Sequence, residues 1–255
     1  MQHEFSRTEI LIGNKGLEKL HKSTVMILGI GGVGSFTAEA LARAAVGHLI
    51  LVDNDDICLT NINRQLHALH STIGKTKVEV MKQRILEINP QVKVETIKEF
   101  YSAANAERLL GRKLDYVVDA IDSVSSKVNL VKECLMRNIP VISSMGAGNR
   151  LTAENYKVTD ISKTSGDPLA KVMRKLLRQE GITKGVKVVS TPDLPLTPLS
   201  LEDDQTNLIH PSGEVHCAKK SQIPGSISFV PPVVGLLIAG EVVRDLLLGG
   251  EFEAN

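Results

Sequence analysis

Short apolar runs alternate with amphipathic segments along the first 145 residues. We predict strands where Val, Ile and Leu cluster, and helices where apolar positions recur every three or four residues. The predicted strands are Thr24–Gly29, His48–Asp53, Val92–Ile97, Tyr116–Asp119 and Pro140–Ser144. The predicted helices are Arg7–Lys22, Val33–Ala45, Lys77–Ile88 and Ser126–Arg137. This alternation is typical of an α/β fold with a Rossmann-like, doubly wound, mainly parallel sheet and helices on both faces.

The alternation weakens after Ser144. Two further strands, Asn155–Ile161 and Gly185–Thr191, are predicted on either side of a helix, Pro168–Gln179. Residues 192–224 are rich in Pro, Ser and Asp and predict a long loop, which in a compact domain is often functional. The apolar stretch Phe229–Gly250 contains Glu, Arg and Asp, which favours a buried C-terminal helix over a membrane span.

The length of 255 residues predicts one large globular domain, or a core domain with a sizeable insertion. We divide it into an N-terminal helical arm (1–22), a nucleotide-binding core (23–145) and a C-terminal extension for substrate and dimer contacts (146–255). A net charge of +1 gives no overall attraction to nucleic acid or membrane, so such contacts need a local patch. The three cysteines form no CxxC pair, which argues against a zinc site of that type. Sparse cysteine and a polar N-terminus indicate a cytoplasmic protein.

A glycine turn follows the first predicted strand and opens the first core helix. Gly29, Gly31, Gly32 and Gly34 fit the pattern G-x-G-x-x-G in the strand-to-helix context that a nucleotide site requires. Asp53 ends the second strand nineteen residues after Gly34, where a carboxylate can bind ribose hydroxyls. The turn alone predicts a bound adenosine nucleotide and would fit NAD.

Three further polar residues favour ATP over NAD. Arg64 can bind a phosphate bidentately, Lys77 opens a helix from which it can reach inward, and Asp122 follows the fourth strand, where a carboxylate suits magnesium beside phosphates. All three belong to the carboxyl edge of the predicted sheet, which this fold uses for ligands. The alternative is that Arg64 and Lys77 are solvated surface residues and that Asp122 caps a helix.

These segments together resemble the ThiF/MoeB superfamily, the bacterial relatives of ubiquitin-activating enzymes. The resemblance rests on Gly29–Gly34, Val52-Asp53, Thr60–Gln65, Gly74–Glu79 and Asp119–Asp122. It implies adenylation of a carboxylate with ATP and Mg²⁺. It also implies roles for individual residues: Asp53 at the ribose; Asp55, Asn61, Arg64 and Lys77 around the phosphates; Asp122 on magnesium; and Arg7 lent to the γ-phosphate site of a partner subunit, in a homodimer.

Within this superfamily the chain is similar to the tRNA threonylcarbamoyladenosine dehydratases. The similar segments are Asp119–Ser123, Gly146–Gly148, Val158–Ile161 and Asp167–Ala170. The resemblance implies a tRNA substrate whose modified adenosine at position 37 carries a threonyl carboxylate. That carboxylate is adenylated, and an attack within the same molecule closes a ring and expels AMP. Proximity within one molecule supplies the rate, so no enzyme nucleophile is needed.

Two features bear on partners. Lys171, Arg174, Lys175 and Arg178 belong to a cluster of basic residues between 163 and 187, and they are candidate tRNA contacts; the alternative is a solvated helix face. Cys217 follows His216 in the long loop, so a thiol role with a sulfur-carrier protein or a cysteine desulfurase stays open. We interpret His67, His70, His210 and His216 as surface or loop residues.

Three other functions remain open on the residues alone. An enzyme that adenylates the C-terminus of a ubiquitin-like sulfur carrier would use the same ATP site. An NAD-dependent oxidoreductase would use the glycine turn and Asp53 but would leave Arg64, Lys77 and Asp122 without a role. A nucleotide-binding scaffold would bind ATP without turning it over.

Overall fold

A single mixed sheet organises the protein. The structure is a computed structural model and describes residues 3–199 and 224–249. Within these residues the sheet has seven strands in the order β3-β2-β1-β4-β5-β7-β6. The strands are β1 (Thr24–Leu28), β2 (His48–Val52), β3 (Lys93–Ile97), β4 (Tyr116–Asp119), β5 (Val141–Ser144), β6 (Lys157–Asp160) and β7 (Lys187–Ser190).

Neighbouring strands from β3 to β7 run parallel, and only the edge strand β6 is antiparallel to its neighbour. The strand order reverses between β1 and β4, whose last residues Leu28 and Asp119 lie in register. A doubly wound sheet binds its ligands beyond the carboxyl ends of the strands at this point of reversal. The predicted fold class is confirmed, and β4 provides a second loop facing the glycine turn.

Seven α-helices surround the sheet in the described residues. They are α1 (Ser6–His21), α2 (Gly34–Arg43), α3 (Lys77–Ile88), α4 (Ala106–Leu110), α5 (Val124–Met136), α6 (Pro168–Gln179) and α7 (Val230–Leu248). The sequence predicted every helix except α4. Because α4 has five residues, it is too short to show a helical period.

The two faces of the sheet bury separate apolar clusters. On one face α2, α3 and α7 pack over the largest cluster, which includes Leu41, Met81 and Ile238. On the other face α4 and α5 pack over a second cluster that includes Leu109 and Leu130. Parallel strands covered on both faces are expected to be apolar throughout, which explains why β1, β2, β4 and β5 were predictable as short apolar runs.

The N-terminal helix α1 differs from its prediction. Leu17 and Leu20 are buried, as expected, whereas Ile10 and Leu11 are 83% and 85% exposed. Gly13 interrupts the helix with a positive φ of 70°, so its first turns leave the axis of the rest. The apolar side chains in the first half of the helix therefore do not pack on the core.

The C-terminal helix α7 is pinned by charged residues inside its buried face. Asp245 accepts a hydrogen bond from the Tyr116 hydroxyl at 2.7 Å, and Lys187 Nζ lies 2.6 Å from Asp245 and 2.8 Å from Glu241. Paired charges explain how these residues are tolerated in the interior. None of the helices in the described residues is long and apolar enough to cross a membrane.

Candidate active site

The glycine turn lies directly after β1, in close contact with the loop that follows β4. Gly29 has a φ of +90°, and a Cβ there would lie 2.4 Å from the Ala120 carbonyl oxygen. A Cβ at Gly34 would lie 1.8 Å from the carbonyl oxygen of Gly29. Both positions therefore require glycine. Since α2 begins at Gly34, its first N–H groups lack partners within the helix. Ser35 N donates instead to Gly31 O at 3.1 Å, and the remaining end of the helix suits a phosphate.

Asp53 ties the second strand to this turn. Its Oδ2 accepts a hydrogen bond from Ile30 N at 2.6 Å, and its Oδ1 accepts one from Asp55 N at 2.9 Å. Burial raises the pKa of this carboxyl, and the Lys77 ammonium opposes that rise. Each carboxylate oxygen has a second lone pair, so Asp53 can still accept hydrogen bonds from a ribose.

Lys77 is the first residue of α3, and its side chain points into the site with 6% exposure. Its Nζ lies 2.7 Å from Asp55 Oδ2 and 3.9 Å from Asp53 Oδ1. A bridge between the backbones of Asp56 and Thr76 brings the start of α3 to the end of β2. The alternative of a solvated surface lysine is therefore wrong, and the structure places the Lys77 ammonium group beside the carboxylates of Asp53 and Asp55.

Arg64 and Asn61 lie on the connection between β2 and α3. A Cβ at Gly32 would lie 3.4 Å from Arg64 Cγ, so the arginine packs against the glycine turn. Arg64 Nη1 donates to Thr60 O and to Asn63 Oδ1, both at 2.9 Å, and partial burial lowers the pKa of the guanidinium. Asn61 Oδ1 accepts from Cys58 N at 3.0 Å, which leaves the amide group as the part that can donate to a phosphate.

Asp122 lies in the short loop between β4 and α5 and is exposed. The helix cap is Ser123, so the alternative of Asp122 as the N-cap residue is wrong. Among the described residues, no group of three or more His, Cys, Asp or Glu is arranged to hold a metal ion. Magnesium bound with nucleotides commonly uses one or two carboxylates plus phosphates and water. The single carboxylate of Asp122 at the ligand edge fits that coordination.

Arg7 stands apart from this group. It is exposed in the first turn of α1, and within the described part of the chain its guanidinium has no hydrogen bond or ion pair. The structure thus brings together the turn, Asp53, Asp55 and Lys77, with Arg64 and Asp122 on adjoining loops. Arg7 does not join them in a single chain.

His67 lies in the loop between β2 and α3, in agreement with the prediction of a surface or loop residue, but it is buried and not at the surface. Its side chain is 2% exposed, and neither ring nitrogen has a hydrogen-bond partner among the described residues. Burial, assisted by the Lys77 ammonium, lowers the pKa of His67 to about 3. The histidine therefore belongs to the interior beside the site and is neutral at ordinary pH. Apolar neighbours Leu66 and Ala68 were the only signal of this in the sequence.

A buried ion pair behind Asp122 was also missed. Asp119 and Lys127 are both fully buried, and Lys127 Nζ lies 3.0 Å from Asp119 Oδ1. Lys127 occupies the same face of α5 as Leu130, Val131 and Cys134, which are buried. A lysine three and four residues before buried apolar positions was the available signal.

The basic residues of α6 form a solvent-facing group. Lys171, Arg174, Lys175 and Arg178 line a shallow surface cavity of about 440 Å³. Arg174 is partly engaged, because its Nη1 donates to Thr164 O at 2.9 Å. Lys187, which the sequence placed in the same cluster, is held by Glu241 and Asp245 on α7 and does not belong to it. The predictions for Cys217, His210 and His216 lie outside the described residues.

Comparison with known proteins agrees with this geometry. The ThiF family model matches residues 5–254. A tRNA threonylcarbamoyladenosine dehydratase of Bacillus subtilis is 50% identical over 247 residues, covering 97% of this chain and 96% of that protein. The crystal structure of the E. coli tRNA N6-threonylcarbamoyladenosine dehydratase in complex with ATP has a TM-score of 0.82 at 32% identity, covering 96% and 94%. The same enzyme in complex with AMP has a TM-score of 0.83 at 32% identity, with the same coverage.

Proposed function

Because this chain belongs to the ThiF family, we propose that it is an ATP-dependent tRNA threonylcarbamoyladenosine dehydratase. The observation that carries the proposal is the cluster of Asp53, Asp55 and Lys77 beside the glycine turn, in a chain 50% identical to a dehydratase over almost its full length. A dinucleotide site needs no ammonium group beside the carboxylate that binds the ribose. An adenylating site does, because charge develops on the phosphates in the transition state.

We assign each residue by its position. Asp53 binds the ribose, and the N–H groups at the start of α2 and the glycine turn bind phosphate. Arg64, Asn61 and Lys77 surround the phosphates, with Asp55 holding Lys77 in place until the nucleotide arrives. Asp122 holds Mg²⁺, which when bound neutralises phosphate charge and thereby favours attack at the α-phosphorus.

The reaction proceeds in two steps. The threonyl carboxylate attacks the α-phosphorus of ATP, which forms an acyl-adenylate and releases pyrophosphate. A nucleophilic group of the same modified nucleoside then attacks the activated carbonyl, AMP leaves, and a ring closes. The net change in the nucleoside is the loss of one water. AMP is a good leaving group and the attack is intramolecular, so the protein needs to position the groups and exclude water.

We further propose a homodimer in which Arg7 of each subunit reaches the phosphates of the other. Arg7 is exposed and lacks a partner within the described residues, on a helix whose first turns carry exposed Ile10 and Leu11. Mixing inactive Arg7→Ala protein with inactive Lys77→Ala protein should then restore activity, since each mixed dimer has one intact site. No recovery on mixing would contradict the shared site.

Since its proposed substrate is tRNA, we expect the enzyme to act in the cytoplasm. We also expect it to form one domain, in which residues 146–255 contact the substrate.

A direct experiment separates the proposed substrate from its rival. Pyrophosphate release is measured with ATP, Mg²⁺ and one of three additions: tRNA carrying threonylcarbamoyladenosine, the same tRNA without the modification, or a ubiquitin-like protein ending in Gly-Gly. We expect release only with the modified tRNA. Release only with the ubiquitin-like protein would replace the dehydratase by a carrier-activating enzyme, and tight NADH binding without ATP binding would revive the oxidoreductase.

A further inference from the structure

The loop that carries Asp122 is closed at both ends by a buried ion pair. Asp119 is the last residue of β4, and Lys127 lies in the first turns of α5. Both side chains are fully buried, and Lys127 Nζ lies 3.0 Å from Asp119 Oδ1. Residues 120–123 therefore form a loop between β4 and α5, and an attraction between opposite charges links these two elements.

Asp119 is also bound to the loop itself and to the next strand. Its Oδ1 accepts a hydrogen bond from Ile121 N at 3.1 Å, and its Oδ2 accepts one from the hydroxyl of Ser143 on β5. Lys127 Nζ has no aligned hydrogen-bond acceptor in the described chain, so its stabilisation comes from the charge of Asp119. The carboxylate is thus fixed in orientation, and the ammonium depends on it.

The same loop touches the nucleotide turn. Ala120 N donates to Leu28 O at 2.8 Å, and the Ala120 carbonyl oxygen would lie only 2.4 Å from a Cβ at Gly29. Asp122 follows two residues later. A shift of the loop would therefore move the Asp122 carboxylate relative to the phosphates, while the glycine turn itself is fixed by Asp53.

Stability alone does not explain the pair. Replacing a buried ion pair by apolar residues of similar volume is often neutral or stabilising, because the charges lose their hydration. In some proteins a buried pair instead selects one arrangement of the groups it joins. Here the two residues that it joins flank the loop that carries Asp122.

We propose that Asp119 and Lys127 are positioning residues that hold Asp122 where the magnesium ion of the adenylation site binds. The inference rests on the proposed function, since it assigns Mg²⁺ to Asp122. Residues that orient a metal ligand without touching the metal change metal affinity or activity by about 10–100-fold when they are substituted. The effect of the pair should appear in the Mg²⁺ dependence of nucleotide binding, which a purely structural role would leave unchanged.

Calorimetric titration of ATP without tRNA tests this directly. Each protein is titrated once with Mg²⁺ and once in EDTA. We expect Mg²⁺ to tighten ATP binding to the wild type. In Lys127→Met this gain should fall by about 10–100-fold, with the affinity in EDTA unchanged. Lys127→Arg keeps the charge and should keep most of the gain. Lys132→Met on the same helix removes a surface pair with Glu180 and should behave as wild type.

An unchanged Mg²⁺ gain in Lys127→Met would overturn the inference, and so would an equal loss of affinity with Mg²⁺ and in EDTA. Since Lys127→Met leaves Asp119 buried and unpaired, it can fail to fold. The double variant Asp119→Asn/Lys127→Met removes both charges with little change in volume. It should fold, as judged by thermal unfolding, and show the same loss of the Mg²⁺ gain; retention of the gain would refute the proposal.

Failure of the proposed function would look different. If the wild-type protein binds no ATP in either buffer, or binds ATP but releases no pyrophosphate with modified tRNA, the proposed adenylation function is refuted. If the wild type is active and Mg²⁺-dependent, and Lys127→Met shows the same Mg²⁺ dependence, only the proposed role of the ion pair is refuted.

Discussion

At the scale of single residues, Lys77 shows how the site is prepared before a nucleotide binds. Its ammonium is almost completely buried and is compensated by Asp55 at 2.7 Å, with Asp53 at 3.9 Å. Because the Asp55 side chain is 55% exposed, it can move away more easily than Lys77. A phosphate that replaces Asp55 would find the cation already oriented and partly desolvated, which is the condition for strong transition-state stabilisation.

We therefore expect Lys77→Ala, Arg64→Ala and Asp122→Ala each to lower tRNA-dependent pyrophosphate release. Removing one preorganised group that stabilises developing charge typically costs about 10²–10³ in kcat. Thermal unfolding should show that the three variants remain folded. The matched control is Lys132→Ala, whose side chain pairs with Glu180 at the surface. Wild-type rates in all three variants would refute the site.

His67 makes a separate prediction about stability and pH. Its pKa in the folded protein is lowered to about 3, mainly by burial, whereas an unfolded histidine titrates near 6.5. Between these values the unfolded chain binds a proton that the folded chain does not, so stability falls as pH falls. The contribution of His67 is about 1.4 kcal/mol per pH unit in that window.

Urea unfolding of wild type and His67→Gln at pH 6.5 and pH 5 measures this contribution. The free energy of unfolding of the wild type should fall by about 1.7 kcal/mol more than that of the variant, because the unfolded histidine goes from half to almost fully protonated over this interval. Equal losses in the two proteins would show that His67 does not stay neutral in the folded state. Absolute stability at pH 7 is not the readout, since Gln also changes the packing.

Single residues differ in how well the sequence predicted them. The positions of Asp53, Lys77 and Asp122 at the carboxyl edge of the sheet were predictable, because parallel strands end at one edge. Their roles in the site stay predictions. The positions of His67 and Lys127 were not predictable, because their burial depends on which side chains pack around them. A polar residue among apolar neighbours is a signal of burial only once the packing face of its element is known.

At the scale of elements, the contact between α2 and α7 fixes the direction of the nucleotide-binding helix. Thr37 Oγ1 donates to Gly235 O at 3.0 Å, and a Cβ at Gly235 would lie 2.5 Å from Val33 O. The helices can approach this closely only because residue 235 has no side chain. The start of α2, whose N–H groups we assign to phosphate binding, is therefore held by the C-terminal helix.

Gly235→Ala should force the two helices apart. We expect a loss of about 1–3 kcal/mol in the free energy of unfolding, typical of overpacking, and weaker ATP binding. Gly240→Ala in the same helix is the control, because its Cβ would meet only the flexible end of Arg244 at 3.4 Å. It should be neutral or stabilising by up to about 1 kcal/mol, from helix propensity. A similar loss in both variants would mean that a side chain added anywhere along α7 destabilises the protein, and that the contact with α2 has no special role.

The elements themselves followed from the sequence wherever one physical pattern dominated. The central strands have apolar residues on both faces, and α3 and α5 repeat with a helical period. The antiparallel direction of β6 was not predictable, because strand direction depends on the path of the chain between β5 and β6. The break at Gly13 was also missed, since the apolar spacing of Ile10 and Leu11 matches a helix that continues toward Leu17.

At the scale of the whole molecule, a chain of nearly neutral charge has to bind a polyanion through a local surface. The basic residues of α6 face solvent around a shallow cavity. Phosphate contacts depend on salt because binding releases counterions. The helix is fixed at its start by buried Asp167, which caps Leu169 N at 2.9 Å and also accepts from Gly146 N. This bond joins α6 to the segment that follows β5.

Charge reversal tests whether this surface binds tRNA. Lys171→Glu/Lys175→Glu should weaken tRNA binding and make its salt dependence less steep by about one unit of log–log slope per lost phosphate contact. ATP binding should stay unchanged. The control Lys22→Glu/Lys113→Glu has the same charge change just before β1 and β4, at the edge of the sheet opposite the site. Equal weakening in both double variants would indicate a general charge effect and not a tRNA surface.

The central claim is that the ATP site dehydrates threonylcarbamoyladenosine in tRNA. Its most direct test is mass spectrometry of nucleosides from tRNA carrying this modification, after incubation with the enzyme, ATP and Mg²⁺. We predict that the modified nucleoside loses the mass of one water, with one AMP and one pyrophosphate released per nucleoside converted. If the enzyme is folded and binds ATP in the presence of Mg²⁺ but the mass of the modified nucleoside does not change, the dehydratase function is contradicted.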